Sequence, residues 1–165
     1  MFEKVDIQEA VKRSIQTEKN AMDFYRLAAK HMKHQEAKRT FEVLAGEEKE
    51  HAEWFWKIYT GTDIPDFESF MTESPEKQSD WLSDLEKIIL PDFNERKAME
   101  LAMDKELKLE KSLREMSTKI SDPDVRRVFE ANAVSTHNHF LLIESEYARL
   151  MGMVHETDID TFVRE

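Results

Sequence analysis

Cysteine is absent from this chain. That excludes disulfides, thiolate catalysis, zinc–thiolate fingers and cysteine-ligated iron–sulfur or rubredoxin-type iron, so any metal here must be held by Glu, Asp and His. Glycine and proline are scarce, 3 and 4 among 165 residues, which leaves few places for tight turns and favours long uninterrupted segments. No stretch approaches the ~20 apolar residues of a membrane span. The start, Met1-Phe2-Glu3-Lys4-Val5-Asp6, carries no apolar run of signal-peptide length, so a soluble, cytoplasmic protein is expected. Positive charge is also in deficit. With a formal net charge of -11 and no basic patch, the chain would be repelled by phosphate backbones and anionic lipid, which argues against nucleic-acid and membrane-surface roles. What remains, 36% charged and 40% hydrophobic residues, is an all-helical composition in a chain the size of one ordinary domain.

Apolar periodicity divides the chain into four long helices, over about residues 7–33, 36–59, 94–120 and 123–151. Asp6 followed by Glu9 reads as a capping box for the first helix, whose stripe runs Ile7, Val11, Ser14, Glu18, Ala21, Met22, Tyr25, Ala28, Met32. His31 and His34 fall at its C-terminal end, where they suit the helix dipole. A very short turn makes the second helix antiparallel to the first, with Gly61 as its expected C-cap. Trp54 and Trp56 lie off its central stripe and are expected to pack against another element. Residues 60–93 break the pattern with Pro65, Pro75 and Pro91, yet Trp81, Leu82, Leu85, Ile88 and Ile89 form a short amphipathic helix, so the segment reads as a structured crossover. The third helix opens near Asn94 and carries Met99, Ala102, Met103, Glu106, Leu109, Leu113. The fourth opens with Asp122 as N-cap and Pro123 at its first position, and carries Val125, Phe129, Asn132, Thr136, His139, Ile143, with Gly152 beyond its end.

The second helix holds the stretch of greatest chemical interest. Its stripe, Phe41, Leu44, Ala45, Glu48, His51, Ala52, Phe55, places two ionisable residues among apolar ones, while Glu47, Lys49, Glu50 and Glu53 point elsewhere. A lone buried carboxylate costs several kcal/mol unless it is paired, protonated or bound to a cation, so Glu48 requires a partner. A single Glu-x-x-His is common by chance. Here it does not stand alone. Sliding the chain against itself by 88 positions pairs Glu18 with Glu106, Arg39 with Arg127, Phe41 with Phe129, Ala45 with Ala133, His51 with His139 and Tyr59 with Tyr147. The two halves are one helical hairpin used twice.

One Glu on each of two helices, with Glu-x-x-His on the others, resembles the ferritin-like di-iron carboxylate bundles: two hairpins joined by a long crossover. The run Thr17-Glu18-Lys19-Asn20-Ala21-Met22-Asp23-Phe24-Tyr25, followed by Leu44 to Ala52, is similar to the rubrerythrin branch. The resemblance covers residues 6 to about 150. It implies an all-α bundle with metal ligands Glu18, Glu48 and His51 at one position and Glu106 and His139, sharing Glu48, at the other. Two departures stand out. The second motif reads Thr136-His137-Asn138-His139, so Thr136 replaces the expected second bridging Glu, and Leu109 stands where rubrerythrins tend to carry a further Glu. No cysteine-bearing electron-transfer domain is found either. Oxygen and imidazole donors suit iron, with zinc or manganese as other occupants. Tyr25 would sit just outside the ligands and orient one of them, or be simply a core tyrosine; His137 falls off the stripe.

Three functions fit these residues. The first is a non-haem oxidoreductase acting on dioxygen or peroxide, of ferroxidase or peroxidase type, supplied by an external electron donor. The second is a metal carrier or sensor without turnover, and the third a structural bundle that has lost its metal. The aromatics of the second helix are compatible with a helix-packed homodimer.

Overall fold

Each long amphipathic stripe has to be covered, and the chain covers all of them by folding two hairpins against each other. The computed structural model describes residues 4–76, 79–89 and 93–163, with side chains described for 7–76, 79–89 and 93–152. Helices α1 (Lys4–His31) and α2 (Gln35–Lys57) make the first hairpin; α5 (Glu95–Lys119) and α6 (Pro123–Val163) make the second. The crossover contains α3 (Phe67–Met71) and α4 (Asp80–Ile89). Among the described residues there is no strand, and the architecture is an all-α four-helix bundle of two hairpins joined by a helical crossover. Within hairpins α1 packs on α2 and α5 on α6; between them α2 meets α6, and α4 lies against both α1 and α5.

The core residues are those that recur at helical spacing. Phe24, Phe41, Phe55 and Phe129 are fully buried, each contributing about 1.5–3 kcal/mol of transfer free energy. Phe55 and Phe129 meet edge-on at 4.9 Å across the α2–α6 seam. Asn94 caps α5 by accepting from the Lys97 amide at 3.0 Å, and Asp122 caps α6 by accepting from the Asp124 and Val125 amides at 2.9 and 3.2 Å.

Several boundaries differ from the sequence reading. The α1 backbone already begins at Lys4, upstream of Asp6, whose side chain lies outside those described, as does Pro91. Helix α2 ends at Lys57 because the Ile58 and Tyr59 amides bond back to Phe55 O and Trp56 O, closing a tighter last turn. Gly61 is therefore not its C-cap, and among the described residues no glycine has a positive φ. A Cβ at Gly61 would collide with the Tyr59 ring, so close approach accounts for this glycine. Helix α6 runs through Gly152 to Val163. A helical glycine costs only about 1 kcal/mol relative to alanine, which the continuous helix absorbs. The crossover holds two helices, the additional one being α3, capped by Asp66 through the Ser69 amide and hydroxyl.

Crossover and bundle are fastened by polar groups that periodicity cannot reveal. Lys19, 2% exposed, donates from Nζ to Asp23 Oδ2 at 2.9 Å and to the Glu73 carbonyl at 3.0 Å. Asn20 Nδ2 donates to Glu76 Oε1 at 3.1 Å, and Lys105 reaches Asp84 of α4 at 2.6 Å. These contacts seat α4 so that Trp81 packs edge-on against Phe24 at 5.2 Å, above Tyr25.

Candidate metal centre

Six polar side chains from four helices meet in the middle of this apolar core. Glu18 comes from α1, Glu48 and His51 from α2, Glu106 from α5, and Thr136 and His139 from α6; none is more than 2% exposed. The 3.6-residue period places Glu48 and His51 on one face of α2 and Thr136 and His139 on the matching face of α6. The two imidazole rings stack across the seam at 4.9 Å, 8° from parallel.

Glu48 lies at the centre. Its Oε1 is 2.9 Å from His139 Nδ1 and 3.3 Å from His51 Nδ1, while Glu18 Oε1 is 3.6 Å from His51 Nδ1 and Glu106 Oε2 is 3.5 Å from His139 Nδ1. Glu18 and His51 thus flank one side of Glu48 and Glu106 and His139 the other. Despite these approaches the groups are not aligned to satisfy one another. Both oxygens of Glu18 and of Glu48, Oε2 of Glu106, Nδ1 of both histidines and Oγ1 of Thr136 are buried without a hydrogen-bond partner. Buried polar atoms are rarely left in that condition, each costing about 1–3 kcal/mol. A cation would satisfy the donors that converge; Glu18, Glu106 and Thr136 lie outside the tightest group. Glu48, His51 and His139 offer donor atoms all within 4.8 Å of one another. The donor set, carboxylate oxygen and imidazole nitrogen without sulfur, therefore fits a metal ion such as iron, manganese or zinc.

The electrostatics carry the same message. Burial pushes the Glu18 carboxyl up to about 7 and the Glu106 carboxyl up to about 8, and the neighbouring Glu48 charge adds to both shifts. For Glu48 burial acts upward too, but His139 and His51 outweigh it and hold that carboxyl down at about 2. Burial would lower both imidazoles; instead Glu18 and Glu48 raise His51 to about 10, and Glu106 and Glu48 raise His139 to about 11. Without a cation, the site keeps its charge in check by holding protons on both histidines and partly on two of the acids. A cation must displace those protons, so its affinity rises with pH.

The outward nitrogens of the histidines are held by groups the sequence reading passed over. His139 Nε2 donates to Glu47 Oε1 at 2.8 Å, and His51 Nε2 is 2.7 Å from Ser135 Oγ. Helical position alone points Glu47 away from the centre; it lies off the α2 stripe but reaches across the seam to α6. The signal that could have found it is the internal repeat, since Glu47 and Ser135 are counterparts under the same 88-residue shift. Tyr25, fully buried, donates its hydroxyl proton to Glu106 Oε1 at 3.0 Å, and burial followed by the Glu106 charge keeps the phenol protonated. Its counterpart in the second half is Leu113.

The remaining chemistry-bearing residues lie elsewhere. His137 pairs with Glu110 at 2.9 Å on a half-exposed surface, His31 stacks on Phe93 at 5.5 Å, and His34 stands 3.7 Å from Glu95. Trp56 donates to the Ile64 carbonyl at 2.8 Å and packs on Phe67. Trp54 is 38% exposed, with its ring 5.2 Å from that of His51 on the same helix. Among the described residues no helix is long and apolar enough to cross a membrane.

Compared with known families, residues 9–145 match the rubrerythrin family model. Neither the curated proteins nor the solved structures include a significant match.

Proposed function

The chain belongs to the rubrerythrin family, and on that premise we propose that it is an iron-binding, non-haem oxidoreductase acting on dioxygen or peroxide through a partly degenerate two-metal site. Family and buried Glu/His cluster together point to metal binding. The observation carrying the reading is the convergence of unpartnered buried donors from Glu18, Glu48, His51, Glu106 and His139. Glu18, Glu48 and His51 would hold one ion; Glu106 and His139, sharing Glu48, the other. Zinc or manganese would suit the same donors. When bound, iron supplies the electrons and the Lewis acidity that the side chains lack.

The chain's own contribution is positioning and protection. Glu47 accepts the Nε2 proton of His139 and so leaves Nδ1 free to face the centre. Tyr25 fixes one oxygen of Glu106 and leaves Oε2 to turn inward. The surrounding phenylalanines and methionines bury the donors. No cysteine occurs in these residues, so electrons for repeated turnover come from an external donor in this reading.

Stopped-flow absorbance after mixing the Fe(II)-loaded protein with peroxide or oxygen tests the proposal. Oxidation several-fold faster than that of free Fe(II) supports it, and oxidation at the free-ion rate removes it. A metal carrier or sensor without turnover is the second reading. Thr136 favours it, because that site lacks a carboxylate and leaves a hydroxyl unpartnered in its place. Stoichiometric binding without accelerated oxidation selects that alternative. Anomalous scattering at the iron and zinc edges from protein purified without added metal would identify the occupant.

A further inference from the structure

Helix α4 packs against both α1 and α5, and none of its residues lines the seam between those two helices beyond it. Beyond α4 the seam opens into a cavity of about 310 Å³. Its walls are apolar at Leu109, Leu113, Met116 and Phe129 and carry the hydroxyls of Ser14, Thr17 and Ser112; Glu18 lines it as well, and so does Arg13. Leu109 is the residue that stands where the resemblance led us to expect another carboxylate, so apolar wall replaces charge on this side of the centre. Glu18 has both oxygens unpartnered, and Arg13 is exposed.

The charges along the seam single out Arg13. In the adjoining polar cavity Lys105 is matched by Asp84 at 2.6 Å and Lys108 by Asp104 at 2.9 Å. Arg13 forms no ion pair among the described residues, in a chain whose net charge is -11. A single unmatched guanidinium beside an apolar chamber suits a monoanion with an apolar body. Its fork accepts a carboxylate through two parallel hydrogen bonds, while a dianion such as a phosphate ester would meet the repulsion of the whole chain with only one cation to offset it. The cavity has room for about ten heavy atoms at ~30 Å³ each. Arg13 and Glu18 are separated by roughly 7.5 Å of helix rise, comparable to the length of a short aliphatic chain.

We propose that the α1–α5 cavity is a binding site for a medium-chain aliphatic carboxylate, with its head on Arg13 and its tail along Leu109, Leu113, Met116 and Phe129 toward Glu18. The proposal rests on the metal reading only for what the far end of the tail approaches; binding itself requires no turnover. Octanoate is the probe, titrated calorimetrically into the zinc-loaded full chain, with octan-1-ol as its uncharged counterpart. Saturable one-to-one binding of octanoate is expected, weakened at least tenfold by Arg13→Gln and at least tenfold for octan-1-ol. Leu113→Trp, which fills the chamber, should abolish binding; Leu109→Phe is the alternative should that variant melt below the working temperature. Octanoate should also perturb the visible absorption of the cobalt-loaded protein. No saturable binding at several millimolar octanoate, equal affinity in Arg13→Gln, or unchanged affinity in a folded cavity-filling variant each overturn the proposal. The two readings separate cleanly. Octanoate binding by a chain that holds no iron, zinc or cobalt would remove the metal reading and leave this one, and tight metal binding without octanoate would do the reverse.

Discussion

The half of the site carried by α1 and α2 and the half carried by α5 and α6 share one plan, yet they differ where polar support is concerned. Glu48, Glu47 and Tyr25 in the first half face Thr136, Ser135 and Leu113 in the second. Because each hairpin supports the ligands of the other, the deficit crosses over. Glu106 and His139 are steadied by Tyr25 and Glu47 at 3.0 and 2.8 Å, whereas Glu18 accepts no hydrogen bond and the outward nitrogen of His51 has only a serine. A carboxylate can only accept, so it fixes the His139 tautomer with Nδ1 free; a hydroxyl can donate or accept and leaves the His51 tautomer open. From the sequence, with Thr136 in view, the Glu18–His51 position is expected to be the stronger. Within the proposed two-metal reading, the support from Tyr25 and Glu47 argues the other way, for the Glu106–His139 position as the better organised of the two.

The strongest way to break the comparison is to remove what both halves share. Glu48→Gln should cost on the order of 100-fold or more in affinity at both positions, and destabilise the metal-free protein by up to about 3 kcal/mol, because two imidazoles lose the anion between them. Metal titration and urea unfolding measure the two effects. Loss of one ion with the other retained would show that Glu48 is not shared.

Metal removal comes next, and its pH dependence has a definite sign. In the metal-free protein Glu18 and Glu106 stand near 7 and 8, above the usual carboxyl value of 4.5, and His51 and His139 stand near 10 and 11, above 6.5. Groups with raised folded-state values contribute stability that is complete below their unfolded values and is lost as pH rises through the folded ones. For the acids that window runs from about 4.5 to 8, and for the histidines from about 6.5 to 11. Glu48, held near 2, contributes in the opposite sense, losing stability only as pH falls from 4.5 through 2. The metal-free protein should therefore lose stability from pH 5 to 8, while metal affinity rises as protons leave the ligands. The melting-temperature gap between loaded and chelated protein should widen across that range; a constant gap would show that the acids and histidines do not share one site.

Restoring the missing carboxylate sharpens the contrast. Thr136→Glu places an acid at the symmetry-related position of Glu48, where a fully buried hydroxyl has no partner. Three carboxylates leave two divalent ions with one net positive charge, and a fourth neutralises them. The variant should bind close to two metals per chain and oxidise Fe(II) faster than the parent. Unchanged stoichiometry and rate, or a chain that unfolds at saturating metal, would mean that Thr136 does not serve the metal positions.

Much of the architecture was legible because it depends on periodicity. Four apolar stripes, two buried acids in register and two histidines in register gave the hairpins, their repetition and the family. What periodicity could not supply were contacts made sideways to a stripe or far along the chain. Glu47 lies one residue before Glu48 and reads as solvated, yet it bridges to α6. Lys19 reads as a surface lysine, yet crossover carbonyls more than 50 residues away satisfy it in the core. Gly152 reads as a helix end by its residue type, but nothing in the structure requires a left-handed turn there. Tyr25 fell between these cases. Its place on the stripe was evident, but its partner Glu106 belongs to the other hairpin, and only the fold brings the two together.

The finest test of the asymmetry compares the two residues that hold the histidines. Glu47→Gln keeps a hydrogen-bond acceptor near His139 Nε2 but removes the charge that makes the imidazole a stronger donor, and removal of such a partner costs about 10–100-fold in metal affinity. Ser135→Ala removes a neutral partner from His51 and should cost less than tenfold. Cobalt titrations followed by visible absorption resolve two unequal sites as two phases. If Glu106 and His139 form the tighter position, Glu47→Gln should weaken the first phase and bring the two affinities together, while Ser135→Ala should weaken only the second and drive them apart. Adding Thr136→Glu to Glu47→Gln supplies a carboxylate directly and should recover most of the loss, which a variant damaged merely in packing would not do. If Ser135→Ala is the substitution that weakens the first phase, the tighter position is the one built from Glu18 and His51, and the crossed support across the seam is not what decides metal affinity in this bundle.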